Sequence, residues 1–428
     1  VLDDYNHSNL WTDTASVPPA TTALSHNHVA DVAIIGGGFT GLSAALHLAE
    51  LDQHAIVLEA RDIGHGGSGR NVGLVNAGMW VMPNDLIDAQ GHERGMRLIR
   101  ALGDGPALVF DLIARFGIEC EAVRNGTLHL GVGSAGDKEL SEREAQWKAL
   151  SAPVRRLNRA DAEVLTGTSA FSSALLDERA GTLQPLSYAR GLATAAQAAG
   201  ATIFTHSPVT SARYENDHWT LETPGGTVRA KWIIVASNAY SGLDRRYTFE
   251  RQQDELTLLP FFQFATEVLP EEIAARILPQ GHGCWDTRTV MTAFRKDKAG
   301  RLIFGSVGAL DPMSMGAQRA FAQRSIARLF PFLSKVRLDH CWHGQIGMTD
   351  NALPKFHHHG PKAIGVNGFN GRGIAPGTVF GRAMARHIVL GEQMLLPQNP
   401  VGRARLGRVR TKAYKLGSHL LHLASSRF

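Results

Sequence analysis

Long apolar runs are missing from this chain: none of its 428 residues belong to a stretch approaching the ~18 apolar residues of a membrane span. Cysteine is scarce. Cys120, Cys284 and Cys341 are scattered, odd in number and without metal-ligand spacing, which argues against a disulfide framework and fits a reducing cytoplasm. Residues 1–28 are polar, with Pro18-Pro19 and no apolar h-region, so no secretory leader is expected and they read as a surface arm. Tandem repeats and low-complexity tracts are lacking too. The formal charge of +5 is mild, and no nucleic-acid partner is expected. What remains is a composition ordinary for a folded protein, 44% hydrophobic and 19% charged, long enough for about two or three domains.

The informative stretch lies near the start. Val32–Ile35 is a short apolar, β-branched run suited to a buried parallel strand. It turns at Gly36-x-Gly38-x-x-Gly41 and continues with Leu42, Ala45, Leu46 and Ala49 at helical spacing. Gly36 permits the tight turn, Gly38 lets backbone approach a pyrophosphate, and Gly41 lets helix pack close to strand. The helix's free N–H groups and dipole then face the phosphates. Ile56–Leu58 form a second strand, and Glu59 follows Gly41 by 18 residues, where a carboxylate accepts hydrogen bonds from ribose hydroxyls. This is a dinucleotide site. Directly after it comes Arg61-Asp-Ile-Gly64-His-Gly66-Gly67-Ser68-Gly69-Arg70-Asn71-Val-Gly73. Too rich in glycine for helix or strand, it reads as a loop along the cofactor, with Ser68, Arg70 and Asn71 as polar contacts.

Residues 85–150 read as helical around a strand at Gly126–Gly131. A helix follows over Ala189–Ala199, then strands at Thr202–Phe204, Trp219–Glu222 and Lys231–Ala236. From about Gln252 to Gly308 the pattern lengthens and alternates, with a hairpin of Thr289–Arg295 and Arg301–Val307 across Lys296–Gly300. An antiparallel sheet in a separate domain is expected there. Ala363–Gly381 repeats the opening theme of strand, glycine turn and helix, the helix running to about Leu390. His357-His358-His359 reads as an exposed polar turn beside Gly360 and Pro361 rather than a metal site, and no metal site is expected.

Nucleotide signals thus recur at residues 36–73, 202–239 and 363–382, with unlike sequence between them. That interleaving resembles the FAD-dependent amine and amino-acid oxidases of the D-amino-acid oxidase and glycine oxidase superfamily, over nearly the whole chain. The resemblance implies an α/β fold: a Rossmann-like FAD-binding domain of the glutathione-reductase type with an inserted antiparallel-sheet, α+β substrate domain. The corresponding division is residues 29–88, 153–250 and 339–400 for FAD, 89–152 and 251–338 for substrate, and 401–428 as a tail. FAD contacts then fall to Gly36, Gly38, Gly41, Glu59, Ala60, Arg61, Gly67, Ser68, Arg70, Asn71, Val209, Gly371 and Gly373, the last two at the flavin's pyrimidine end. Within the superfamily, Ile63–Gly78, Trp285-Asp-Thr-Arg288 and Asn370-Gly-Arg-Gly373 are most similar to bacterial L-pipecolate oxidases, then to gamma-glutamylputrescine oxidases, which carry His where Arg372 stands. Sarcosine oxidases carry a substrate-binding Lys where this chain has Ala375. Cys341 is offset from the cysteine that tethers their flavin, so FAD is expected to be non-covalent.

Flavin amine oxidation moves a hydride from the carbon bearing nitrogen to the flavin, so the protein must position an amine in its neutral form. If the substrate carries a carboxylate, an arginine is its natural anchor. Arg372 and Arg288 are the candidates, with Met79, Trp80 and Trp285 as apolar walls. The expected partners are a small amine or amino acid and, as electron acceptor, O2 or a respiratory chain. An NAD-linked dehydrogenase and a flavin subunit that only relays electrons stay open at this point.

Residues 401–428 contain no acid. Leu406, Val409, Ala413, Leu416, Leu420 and Leu423 recur at three- and four-residue steps, with Arg405, Arg408, Lys412, Lys415, His419 and His422 on another face. This is an amphipathic basic helix, packed on protein or else in peripheral contact with a membrane surface.

Overall fold

The computed structural model describes residues 9–241, 255–312 and 314–402, and beyond them Ala404, Gly407, Arg410, Thr411, Ala413, Gly417 and His422. Two large sheets organise these residues. The first runs Gln398–Asn399, Lys355–Gly360, Ala363–Asn367, Gly226–Val235, His28–Ile35, Ala55–Leu58, Thr202–Phe204, with Ser211–Glu215 and His218–Thr223 extending it from Gly226–Val235. Its centre is parallel: Ile34 lies beside Ile234 on one strand and Val57 on the other. Side chains alternate between the faces of a strand, and here the alternation divides two cores. Val32, Ile34 and Val57 join the core of helices Phe39–Ala49, Pro185–Ala198 and Ile374–Leu390. Ala33, Ile56, Leu58 and Ile233 join the opposite core, with Trp219 and Leu221 of the hairpin.

The helix after the glycine turn starts hard against it. A Cβ on Gly41 would lie far inside contact distance of the Gly36 carbonyl oxygen. Gly38 caps this helix without a side chain, and the Phe39 N–H instead donates to Ser68 Oγ at 3.1 Å.

The second sheet runs Leu338–Met348, Thr257–Thr266, Leu302–Val307, Thr292–Lys296, Gly283–Asp286, Thr127–Gly131, Ser173–Asp177, Val154–Leu157. It is antiparallel except where Gly283–Asp286 pairs with Thr127–Gly131. One face is an aromatic core: Phe262, Phe264, Phe294 and Phe304 pack with Phe321 and Ile326 of helix Met315–Leu329. Each such buried phenylalanine contributes about 2–3 kcal/mol. The alternate residues Leu259, Phe261, Gln263, Ala293, Gly305 and Val307 face a cavity between the sheets.

Sheet membership moves the domain boundaries read from the sequence. Val154–Leu157, Ser173–Asp177 and Leu338–Met348 lie in the second sheet, although residues 153–250 and 339–400 were expected with FAD. The first two of these strands pair with each other, and Ser173–Asp177 pairs also with Thr127–Gly131. The N-terminal segment is likewise no surface arm throughout: Leu10 and Trp11, in the single-turn helix Leu10–Thr14, are fully buried. His357-His358-His359 lies in strand Lys355–Gly360, not in a turn. Within it His357 is completely buried and His358 exposed.

His357 Nε2 stands 2.7 Å from Glu255 Oε2, whose other oxygen is 2.9 Å from Lys355 Nζ. Burial pushes the Glu255 carboxyl up, but His357 and Lys355 outweigh it and bring it down from 4.5 to about 2. A depressed carboxyl stabilises the fold fully above its ordinary value and loses that contribution as pH falls through the folded one. The urea midpoint is therefore expected to fall between about pH 4.5 and 2, and Glu255→Gln to flatten that part of the profile. Parallel profiles for the two proteins would place the acid sensitivity elsewhere.

No helix among the described residues is long and apolar enough to cross a membrane. Of the tail's two expected faces only Ala413 and His422 are described; Leu406, Val409, Leu416, Leu420, Leu423, Arg405, Arg408, Lys412, Lys415 and His419 lie outside the described residues. Three described tail residues contact the body of their own chain. Arg410 pairs with Asp350 at 2.6 Å, Thr411 Oγ1 accepts from the Leu258 N–H at 3.2 Å, and His422 is buried, stacked on Phe321.

Candidate active site

A cavity of about 910 Å³ lies between the two sheets, lined by residues from Ile35 to Ile374. At one end are Gly36, Gly38, Gly67 and Ser68, and a Cβ on Gly38 would stand 2.8 Å from Ser68 Oγ. The N-terminus of the Phe39–Ala49 helix opens onto this end, a place for a diphosphate. Asn71 staples the second glycine loop: its Nδ2 donates to the Gly67 and Ser68 carbonyls at 3.0 and 2.9 Å, and its Oδ1 accepts from the Gly73 N–H at 2.9 Å.

Glu59 is oriented by backbone. Oε2 accepts from the Gly37 N–H at 2.6 Å and Oε1 from the Arg61 N–H at 2.8 Å, leaving the remaining lone pairs for ribose hydroxyls. Enclosure pushes its carboxyl up, against the lowering effect of those N–H groups. Ala60, Arg61 and Val209 line the same end. Gly371, Gly373 and Ile374 line the opposite side of the cavity, where helix Ile374–Leu390 begins and its positive dipole end favours an anion.

Beyond this lies a pocket walled by Trp80, Trp285, His129, Gln263, Phe261 and Met291, with Arg288 and Glu139 also lining it. Three buried polar atoms here have no hydrogen-bond partner: Trp285 Nε1, His129 Nδ1 and Gln263 Oε1. Leaving such an atom unsatisfied costs about 1–3 kcal/mol, so each is a candidate partner for a ligand's polar groups. His129 stacks on Trp285 with centroids 5.0 Å apart. Burial, then the charges of Arg143 and Arg372, hold His129 well below its ordinary pKa, so it is neutral.

The two arginines differ. Arg288 is partly exposed and paired with the buried carboxylate of Asp286 at 2.8 Å. Arg372 is 7% exposed and does not itself line the cavity. Its guanidinium lies 4.7 Å from the Trp80 ring centroid and 5.4 Å from that of Trp285. Nη1 donates to the Ala77 carbonyl at 2.9 Å, while Nε is buried without a partner. No carboxylate among the described residues pairs with it. Burial, and then Arg143, push its pKa down to about 9.

Other expected site residues stand behind the walls. Arg70 donates to the His65 and His343 carbonyls at 2.8 and 3.2 Å, joining the glycine loop to strand Leu338–Met348. Met79 is core, and Gly41 serves helix packing. Sequence reasoning did not single out His129, Gln263 or Phe261. The signal was available for two of them: His129 and Gln263 are polar residues inside apolar strand runs, and a polar side chain there needs a reason.

The residues present suit FAD. They combine a glycine-lined cradle at a helix N-terminus, a carboxylate oriented by backbone N–H groups just past the second strand, a second helix N-terminus, and unpartnered polar atoms in the pocket beyond. Comparison with known proteins agrees. The sequence matches the family described as "DAO: FAD dependent oxidoreductase" over residues 31–387. It is 30% identical over 377 residues to the gamma-glutamylputrescine oxidoreductase of Escherichia coli K12, covering 85% of this chain and 84% of that protein. It is 29% identical over 378 residues to the probable oxidoreductase OrdL of Haemophilus influenzae, covering 88% and 86%. Among solved structures, glycine oxidase from Geobacillus kaustophilus superposes with a TM-score of 0.71 at 21% identity, over 86% of this chain and 97% of that one. The chain belongs to the DAO family of FAD-dependent oxidoreductases, related to enzymes that oxidise amines and amino acids.

Proposed function

We propose that this enzyme oxidises the C–N bond of a secondary-amine amino acid to the imine, with L-pipecolate as its substrate. The observation that carries the reading is Arg372, a buried cation beside the pocket with no carboxylate partner among the described residues. An uncompensated buried charge costs several kcal/mol, and a substrate carboxylate would relieve that cost. FAD, when bound, supplies the hydride acceptor. The chain's own residues do the rest. Trp80 and Trp285 offer faces to a ring's methylenes, and the Trp285 N–H and Gln263 Oε1 are a free donor and acceptor for the substrate's polar groups. The positive charge of Arg372 lowers the pKa of a nearby ammonium, favouring the neutral amine from which hydride leaves.

A second reading is a gamma-glutamyl amine. It is favoured by Arg288 and Glu139, opposite charges that line the cavity and stay partly exposed, as the distal amino-acid end of such a substrate requires, and by the Escherichia coli relative's activity.

The test is an anaerobic visible spectrum with L-pipecolate, D-pipecolate, L-proline, sarcosine and gamma-glutamylputrescine added separately. Rapid bleaching of the flavin band by L-pipecolate alone is the expected result. Bleaching by gamma-glutamylputrescine instead selects the second reading. FAD is held without a covalent bond in this proposal, since Cys120, Cys284 and Cys341 are buried and none lines the cavity. Acid precipitation is therefore expected to leave a yellow supernatant; a colourless one over a yellow pellet would overturn this.

A further inference from the structure

The second glycine loop is gripped from the side away from the cavity. Trp11 Nε1 donates to the Asn71 carbonyl at 2.8 Å, and Trp342 Nε1 donates to the Arg70 carbonyl at 2.9 Å. The two indoles meet edge to face with centroids 5.5 Å apart, Trp11 fully buried and Trp342 2% exposed. A third group continues the pattern: buried Arg295 donates from Nη1 to the Gly73 carbonyl at 3.4 Å and also to the Leu183 carbonyl, with its guanidinium 5.5 Å from the Trp11 ring centroid. Trp11 is itself fixed. Its N–H is capped by Asn9 Oδ1 at 3.1 Å, and its carbonyl accepts from Gln184 Nε2 at 2.9 Å.

In a trans peptide the C=O and N–H point in opposite directions. Holding the carbonyls of Arg70 and Asn71 on the indole side therefore turns the following N–H groups the other way. Asn71 N–H bonds within the loop to the Gly67 carbonyl at 3.2 Å. Asn71 and Val72 line the cavity, so the Asn71–Val72 peptide turns its N–H edge away from the clamp.

We propose that Trp11 and Trp342 are positioning residues for the cofactor: their paired indole N–H groups set the peptide planes of residues 70–72, and the N-terminal segment is thereby a working part of the FAD site. The inference rests on the cavity holding FAD. Each indole contributes one hydrogen bond, and a net bond of ordinary strength corresponds to about a fivefold change in an equilibrium constant.

The test uses Trp11→Phe and Trp342→Phe, which keep an aromatic ring and delete the N–H, and their double variant. FAD dissociation constants come from flavin fluorescence, and hydrogen exchange of residues 67–73 is followed in the apoprotein. Each single variant is expected to weaken FAD about fivefold and the double about 25-fold. Exchange in the loop should speed up in the same order, and the bound flavin's visible spectrum should shift. Lower melting temperatures with loop exchange, FAD affinity and flavin spectrum unchanged would overturn the proposal, leaving the indoles as packing only. Should one single variant fail to fold, the other decides by the same criteria. Failure of wild-type protein to bind FAD at all would strike the cofactor assignment instead, a distinguishable result.

Discussion

Arg372→Met is expected to raise KM for L-pipecolate about 100-fold while leaving FAD content unchanged and the melting temperature at or above wild type. The kinetic effect corresponds to roughly 3 kcal/mol, the cost of deleting the cation that would pair with the substrate carboxylate once the Trp80 and Trp285 rings covering it give way. The stability effect has the opposite cause. In the free enzyme the guanidinium has the Ala77 carbonyl and two tryptophan faces but no carboxylate paired with it among the described residues. Removing it relieves desolvation at the loss of two cation–π contacts worth about 0.5–1 kcal/mol each. A structural arginine would behave in reverse, its loss lowering stability without discriminating between substrates. Piperidine, the same ring without the carboxylate, supplies the control: its reaction should be indifferent to the substitution. Equal changes in KM for both amines, or loss of FAD with a steep fall in melting temperature, would sink the anchor.

Gly41→Ala should cost about 3 kcal/mol of stability and most of the bound FAD. A methyl at this position runs into the Gly36 carbonyl oxygen, which is backbone in the turn itself and has no rotamer to retreat into. Relief requires helix Phe39–Ala49 to lift off the sheet, and that helix is buried along nearly its whole length. Overpacking of this kind costs about 1–3 kcal/mol even where side chains can adjust. Here it also pulls the helix N-terminus away from the phosphates. Denaturant midpoints together with the flavin-to-protein absorbance ratio read both effects; wild-type values of each would show that the turn has slack.

The parts of the site that were legible in the sequence are those encoded over short distances. The strand, the glycine turn, Glu59 and the closing Gly371–Gly373 turn all depend on spacings within one unit, and Thr202–Phe204 matches its expected bounds. The second sheet was legible in character but not in membership. Thr127–Gly131 is sandwiched between Ser173–Asp177 and a parallel partner, Gly283–Asp286, and nothing local announces either pairing. The histidine triplet misled because polarity suggests a turn, whereas strand pairing with Ala363–Asn367 decides which ring is buried. Trp11 misled for the opposite reason: two apolar residues in a polar stretch carry no periodicity, and their burial depends on Trp342 and Gln184, far away in sequence. Arg372 was found by its neighbours, but its place behind the tryptophan rings rather than on the open wall depends on packing that no spacing encodes.

The cavity's lining, drawn from Ile35 through to Ile374, bears on how the protein is made. A ribosome releases the fingerprint and Glu59 early, yet the helix N-terminus behind Gly371 and the Trp342 indole emerge only after most of the chain has been synthesised. Domains generally fold as units as they emerge, and here both sheets are completed late, by the second sheet's outer strand Leu338–Met348 and the first sheet's Ala363–Asn367. Flavin capture is thus expected only after the residues up to Ile374 have been made. A nascent or prematurely ended chain carrying the whole nucleotide fingerprint would hold no pigment, and cells short of FAD would accumulate full-length apoprotein rather than half-built, half-loaded intermediates.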